Sequence, residues 1–271
     1  MSERVARAKP RPLTCRGVRT PSAPAPCPEG WRTGPPDFIG LGAQRSGTTR
    51  WFDLIVAHPE VVAPLSTRKE LHYFDRFHSR ALSAADAAGY GDYFPRPDGF
   101  LTGEWSPSYL PSPWVPAMLA RAAPQARLLV LLRDPVERYL SGLARHHRVA
   151  AAGGQPLDAM APLDAFTRGL YHAQLERLFM CFPRSQALIL QYERCTLQTR
   201  SELRRTYEFL GLRDTAFAPQ LGDHPNRQVE KPDLDREARR ALVEAYEPDV
   251  ALLVRDYREV DRDLWPNFAG L

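Results

Sequence analysis

A buried apolar strand running directly into a glycine-bounded turn and then a helix constrains a fold strongly, and Phe38-Ile39-Gly40-Leu41-Gly42-Ala43-Gln44-Arg45-Ser46-Gly47-Thr48-Thr49 has that form. Gly42 and Gly47 let the backbone turn sharply and bring its N–H groups close to an anion. The helix starting near Thr48 aims its positive end at the same point. The spacing from Gly42 to Gly47 is that of a Walker A loop, but Thr48 stands where that loop has its lysine, and the cation comes earlier, as Arg45. A P-loop kinase sets its lysine on the β- and γ-phosphates, so its loss argues against ordinary nucleoside triphosphate chemistry. What remains is a loop suited to a 5′-phosphate with one guanidinium over it.

Beyond this loop the chain alternates strand and helix signals. The pattern predicts strands at about 37–41, 100–104, 127–132 and 187–191, with a short apolar segment from Val61 to Pro64. Between them it predicts helices at about 48–58, 83–93, 112–122, from Pro135 onward, 162–180 and 199–210, then 235–258 interrupted at Pro248. Such alternation implies an α/β fold with a central parallel sheet flanked by helices, a P-loop-like three-layer arrangement. With 271 residues, 44% of them hydrophobic, one domain at 37–271 is the simplest organisation. Residues 1–36 mix many prolines and arginines with few large apolar groups, and are expected to be a disordered tail without catalytic duty.

A second informative run is Leu131-Leu132-Arg133-Asp134-Pro135-Val136-Glu137-Arg138-Tyr139-Leu140-Ser141. Arg133 falls where the clearest buried strand leaves the sheet, and ligands of open parallel sheets collect beyond those strand ends. Ser141 follows two turns into the next helix, so an arginine fork and a hydroxyl can converge on one phosphate. The alternative is a local ion pair for Arg133 and a surface position for Ser141. A second phosphate site, apart from the first, suits a nucleotide phosphorylated at both its 5′ and 3′ positions.

The formal charge of +4 and a pI near 9.0 are mildly basic, and no basic stripe is interleaved with aromatics, so no nucleic-acid partner is expected. No apolar stretch reaches the ~18 residues of a membrane span and no signal-type apolar segment opens the chain; a soluble, unsecreted protein is expected. Cys15, Cys27, Cys181 and Cys195 show no metal-like pairing and fit a reducing, cytoplasmic setting. His146 and His147 are adjacent and therefore point to different sides of a helix, so no metal is assigned. Nothing in the sequence fixes an oligomeric state.

The glycine loop with Arg45, Lys69-Glu70-Leu71-His72-Tyr73-Phe74-Asp75, Glu104-Trp105-Ser106-Pro107-Ser108-Tyr109, and Arg133-Asp134-Pro135 with Ser141 occur in the order found in sulfotransferases. The chain resembles most the branch that includes the heparan sulfate sulfotransferases and their bacterial relatives, over about residues 37–258. The resemblance implies 3′-phosphoadenosine 5′-phosphosulfate as co-substrate, no metal, and a small-molecule or glycan acceptor sulfated at a hydroxyl, less readily at an amine. It makes Gly42, Ala43, Gln44, Arg45, Ser46, Gly47, Thr48 and Thr49 the cradle of the 5′-phosphosulfate. Arg45 takes the place of a usual lysine and offers charge to the bridging oxygen; Arg133 and Ser141 hold the 3′-phosphate.

In the same comparison Glu70 matches a proposed general base. Its plainer reading is a partner for Arg68 or Lys69. Trp105 replaces a lysine given a supporting catalytic role; either Lys69 supplies the missing charge or the acceptor differs and needs no such group, and Trp105 either stacks on an acceptor ring or sits in the core. His72 helps Glu70, lines the acceptor cleft, or is structural beside Tyr73 and Phe74. Tyr171, Asn226 and Arg227 are candidate nucleotide contacts. A small-molecule kinase and a non-catalytic nucleotide-binding protein are the competing readings.

Overall fold

The computed structural model describes residues 21–65, 69–154, 156, 158–219 and 232–270. Strand β1 (Phe38–Gly42) leads through the loop to helix α1 (Thr48–Val56), then to the short β2 (Val61–Val62), α2 (Ala84–Tyr90) and β3 (Leu101–Trp105). Helix α3 (Val115–Ala122), β4 (Arg127–Leu132) and α4 (Pro135–Ala152) follow, then α5 (Ala161–Thr167), α6 (Tyr171–Phe179), β5 (Ala187–Gln191), α7 (Tyr192–Leu197), α8 (Thr199–Leu210) and α9 (Arg236–Asp256). The strands form one five-stranded sheet in the order β2-β3-β1-β4-β5. All its pairings are parallel.

The central strands are apolar on both sides because both faces are covered. Leu128, Val130 and Leu132 of β4 enter one core, with Tyr171, Leu175 and Val250, while Leu129 and Leu131 enter the other, with Trp51, Ile55 and Tyr207. Successive side chains of a strand point to opposite faces, so one six-residue strand feeds both helical layers. After β1 the chain moves toward β2 and β3; after β4 it moves to β5 at the other edge. Adjacent strands whose connections diverge leave a crevice at their carboxyl ends. Here that crevice lies between β1 and β4.

The expected layout is present, with four differences. The segment 162–180 is two helices, broken where Gly169 lies so close to the Tyr246 ring that a Cβ would fall 2.8 Å from it. Helix α7 was not expected; it starts directly from the end of β5. Pro248 lies inside α9 without ending it, because Tyr246, Val250 and Leu253 are buried around it and hold the helix on both sides. The folded unit also begins earlier than residue 37. Arg32 and Arg96 exchange backbone hydrogen bonds of 3.0 and 2.9 Å, and the Arg96 guanidinium donates to Pro35 O at 2.9 Å and Asp37 Oδ1 at 3.0 Å.

Candidate active site

The loop after β1 is set by its neighbours. Gly47 has φ 83°, and a Cβ there would lie 2.8 Å from the Tyr192 ring, so glycine is required on both counts. The N–H groups of Ala43 and Ser46 donate to Leu131 O at 2.8 Å and Ala43 O at 3.3 Å. These two residues were expected among the anion contacts; their amides instead hold the loop's own shape, and both side chains are buried. Among the described residues, the N–H groups of Gln44, Arg45 and Gly47 make no backbone hydrogen bond. They remain as loop donors beside the N-terminus of α1.

Cations flank this loop on both sides. On the β4 side, Arg133 Nη1 donates to Arg45 O at 3.0 Å, and Arg45 Nε donates to Ser141 Oγ at 3.0 Å. Arg133 also lies 4.8 Å over the Tyr192 ring and 4.0 Å from Glu137 Oε2. The Arg45 guanidinium is pushed below its ordinary range first by burial and then by the charges of Arg148, Arg145, Arg133 and Arg138. Such a concentration of like charge favours an anion among them. On the β3 side, Lys69 Nζ donates to Thr48 Oγ1 at 3.0 Å, Thr49 Oγ1 at 3.2 Å and Glu70 Oε1 at 3.1 Å.

The segment carrying Lys69, Glu70 and His72 is tied to the end of β3. Trp105 N–H donates to Lys69 O at 2.9 Å, Leu71 N–H to Glu104 Oε2 at 3.0 Å, and His72 N–H to Ser106 Oγ at 2.9 Å. Glu104 is fully buried and also accepts from Tyr90 at 2.7 Å and Tyr109 at 3.0 Å. Burial raises its pKa against those hydrogen bonds. It acts as an anchor for the segment, with every lone-pair direction supplied by a neighbour.

Glu70 sits between two cations. His72 Nε2 lies 3.0 Å from Glu70 Oε2, and His72 Nδ1 lies 2.9 Å from Asp75 Oδ2 and 3.1 Å from Ser108 Oγ. Burial works to raise the Glu70 pKa, but the His72 hydrogen bond and the Lys69 charge outweigh it and hold the carboxyl at about 2. Burial works to lower His72, but Asp75 and Glu70 raise it to about 9. Among the described residues, Arg45 and His72 are the non-glycine residues with positive φ, 74° and 55°. Left-handed backbone at such residues costs about 1–3 kcal/mol and persists where the surroundings fix it.

A family model of the sulfotransferase domain matches residues 35–222. The chain belongs to this family. It is 31% identical over 214 residues to the mouse protein named heparan sulfate glucosamine 3-O-sulfotransferase 6, covering 74% of this chain and 59% of that relative. It is 26% identical over 201 residues to the human bifunctional heparan sulfate N-deacetylase/N-sulfotransferase 3, covering 65% of this chain and 22% of that one. The chain therefore spans about three fifths, or less, of these relatives' lengths. The fold agrees with the crystal structure of a sulfotransferase from Alicyclobacillus acidocaldarius, with a TM-score of 0.65 at 23% identity over 86% of this chain and 99% of that one.

Two expected contacts of this sulfotransferase domain are corrected by burial. Trp105 is 0% exposed and its Nε1 donates to Gly42 O at 3.2 Å. Its ring lies over Gly40, where a Cβ would come within 1.9 Å, so it packs the sheet beneath the loop and cannot stack on an acceptor. Tyr171 is also 0% exposed, and its OH donates to Arg133 O at 2.9 Å. It is therefore a support for Arg133 and no nucleotide contact. Asn226 and Arg227 lie outside the described residues. His146 faces Asp164 at 3.4 Å while His147 is exposed, so the adjacent histidines do diverge. Glu104 and Tyr192 are site supports that the sequence reading does not single out; Glu104 stands at the head of a family motif at the carboxyl end of β3, and Tyr192 is marked only by its position directly after β5.

Proposed function

We propose that this chain transfers a sulfuryl group from 3′-phosphoadenosine 5′-phosphosulfate to a hydroxyl of a glycan or small molecule. The carrying observation is that Arg133 with Ser141, the α1 hydroxyls with Lys69, and the Glu70–His72 pair border one loop at the carboxyl ends of β1, β3 and β4. Two separated cationic sites suit a nucleotide with phosphates at both 5′ and 3′ ends. The residues fit that donor: loop amides, the helix N-terminus and hydroxyls for the 5′ end, an arginine fork and serine for the 3′ end. The family membership leaves the kinase reading without support.

In the proposed reaction the acceptor oxygen attacks sulfur in line and Glu70 takes the hydroxyl proton. The bond from sulfur to the bridging oxygen breaks, and that oxygen leaves on adenosine 3′,5′-bisphosphate. Held at about 2, Glu70 is a weak base at rest. The hydroxyl proton becomes acidic only as the oxygen–sulfur bond forms, so Glu70 receives it late in the step. Lys69 and His72 orient the carboxylate toward the acceptor. A hydroxyl acceptor is favoured over an amine because the 3-O-sulfotransferase match is higher in identity and coverage than the N-sulfotransferase match. A reducing compartment is proposed with it; among the described residues the thiols of Cys27, Cys181 and Cys195 form no disulfide.

The test is transfer of labelled sulfuryl from the donor to a panel of glycans and hydroxylated metabolites, with release of the bisphosphate followed in parallel. Acceptor-dependent label on a hydroxyl is the expected result. Phosphoryl transfer from ATP, with no use of the sulfuryl donor across the panel, would overturn the reading.

A further inference from the structure

No lysine follows the loop's second glycine, where a Walker A loop has one, yet an ammonium still stands at the first turn of α1. Lys69 Nζ reaches it from the neighbouring strand's side, touching the hydroxyls of Thr48 and Thr49, the first two residues of that helix. It is there because Lys69 O accepts from Trp105 N–H, which runs residue 69 along the end of β3, next to β1. The side chain is 9% exposed, and its three N–H bonds are directed to Thr48, Thr49 and Glu70. Arg45, the loop's own cation, turns the other way. Its Nε is on Ser141 and its carbonyl is on Arg133, so its guanidinium lies among the arginines of α4.

We propose that the two cations have exchanged posts: Lys69 serves the 5′-phosphosulfate and its leaving oxygen, and Arg45 joins Arg133 and Ser141 around the 3′-phosphate. This rests on the donor reading above. A phosphosulfate seated on the N-terminus of α1 meets the Thr48 and Thr49 hydroxyls and, with them, the Lys69 ammonium. Because the same ammonium also bonds Glu70, Lys69 links the group that leaves to the group that takes the acceptor proton. An arginine beside Ser141 adds a second fork to the 3′ site, where planar donors suit phosphate oxygens.

The test is a binding cross. Adenosine 3′,5′-bisphosphate, adenosine 3′-monophosphate and adenosine 5′-monophosphate are titrated by calorimetry into wild type, Lys69→Met and Arg45→Met. The bisphosphate's advantage over the 3′-monophosphate reads the 5′ site; its advantage over the 5′-monophosphate reads the 3′ site. Lys69→Met is expected to reduce the first advantage by about tenfold and leave the second, and Arg45→Met is expected to do the reverse. Lys69→Gln, which keeps a donor and removes the charge, serves as a second variant if methionine prevents folding. If Arg45→Met removes the 5′ advantage while the Lys69 variants keep it, the exchange is overturned. If wild type shows neither advantage, the donor reading itself falls, which separates the two failures.

Discussion

His72 bridges Glu70 and Asp75, with its Nε2 3.0 Å from Glu70 Oε2 and its Nδ1 2.9 Å from Asp75 Oδ2. Both ring nitrogens face carboxylates, so the doubly protonated imidazolium is the form the site favours. Its pKa, raised from 6.5 to about 9, contributes stability that is complete below about pH 6.5 and lost as pH rises through about 9. Glu70, lowered from 4.5 to about 2, contributes stability present above about pH 4.5 and lost as pH falls toward 2. Urea unfolding of wild type is expected to weaken from pH 6.5 to pH 9.5 more than that of His72→Gln. NMR of the ring should show titration well above 6.5; a value at or below 6.5 would contradict the bridge.

Glu70→Gln keeps the shape and removes the charge. General-base assistance is typically worth ~10²- to 10⁴-fold, so turnover should fall by that order while donor affinity changes little. Steady-state kinetics with a genuine acceptor, together with nucleotide calorimetry, separates the two effects. Near-normal turnover would move the proton to another acceptor.

Trp105→Phe should act on stability alone. It removes the hydrogen bond to Gly42 O and part of a fully buried ring beneath the loop, a loss of about 1–3 kcal/mol. Chemical denaturation should register that loss with the acceptor KM unchanged. A raised acceptor KM without loss of stability would restore the acceptor role that the burial of Trp105 removes.

Tyr171→Phe should leave Arg133 O without its 2.9 Å donor and let the strand end relax. Losing one neutral hydrogen bond costs about 0.5–1.5 kcal/mol, so bisphosphate affinity should drop roughly two- to tenfold, with 5′-monophosphate affinity hardly changed. A uniform loss across both nucleotides would make Tyr171 a general stabiliser of the fold.

The strands and the loop were legible because their signals are local: apolar runs, two glycines and a helix start. The residues beside the loop were legible through motif order, including Glu70, Arg133 and Ser141. What escaped was decided by packing across the sheet. Trp105 reads the same in sequence whether it faces a cleft or Gly40, and only the missing Cβ of Gly40 draws the ring inward. The direction of Arg45 depends on the left-handed turn at its own backbone and on Ser141, ninety-six positions away. Glu104 looked like one more motif carboxylate until its donors from Tyr90, Tyr109 and Leu71 were brought together by the fold.

The central claim is a donor phosphorylated at both ends, and calorimetry on wild type and Arg133→Ala tests it most directly. A charge-assisted contact is worth about 1.5–3 kcal/mol, so adenosine 3′,5′-bisphosphate should bind wild type at least about tenfold more tightly than adenosine 5′-monophosphate. Arg133→Ala should greatly reduce that preference. Equal affinities of wild type for the two nucleotides would contradict the account.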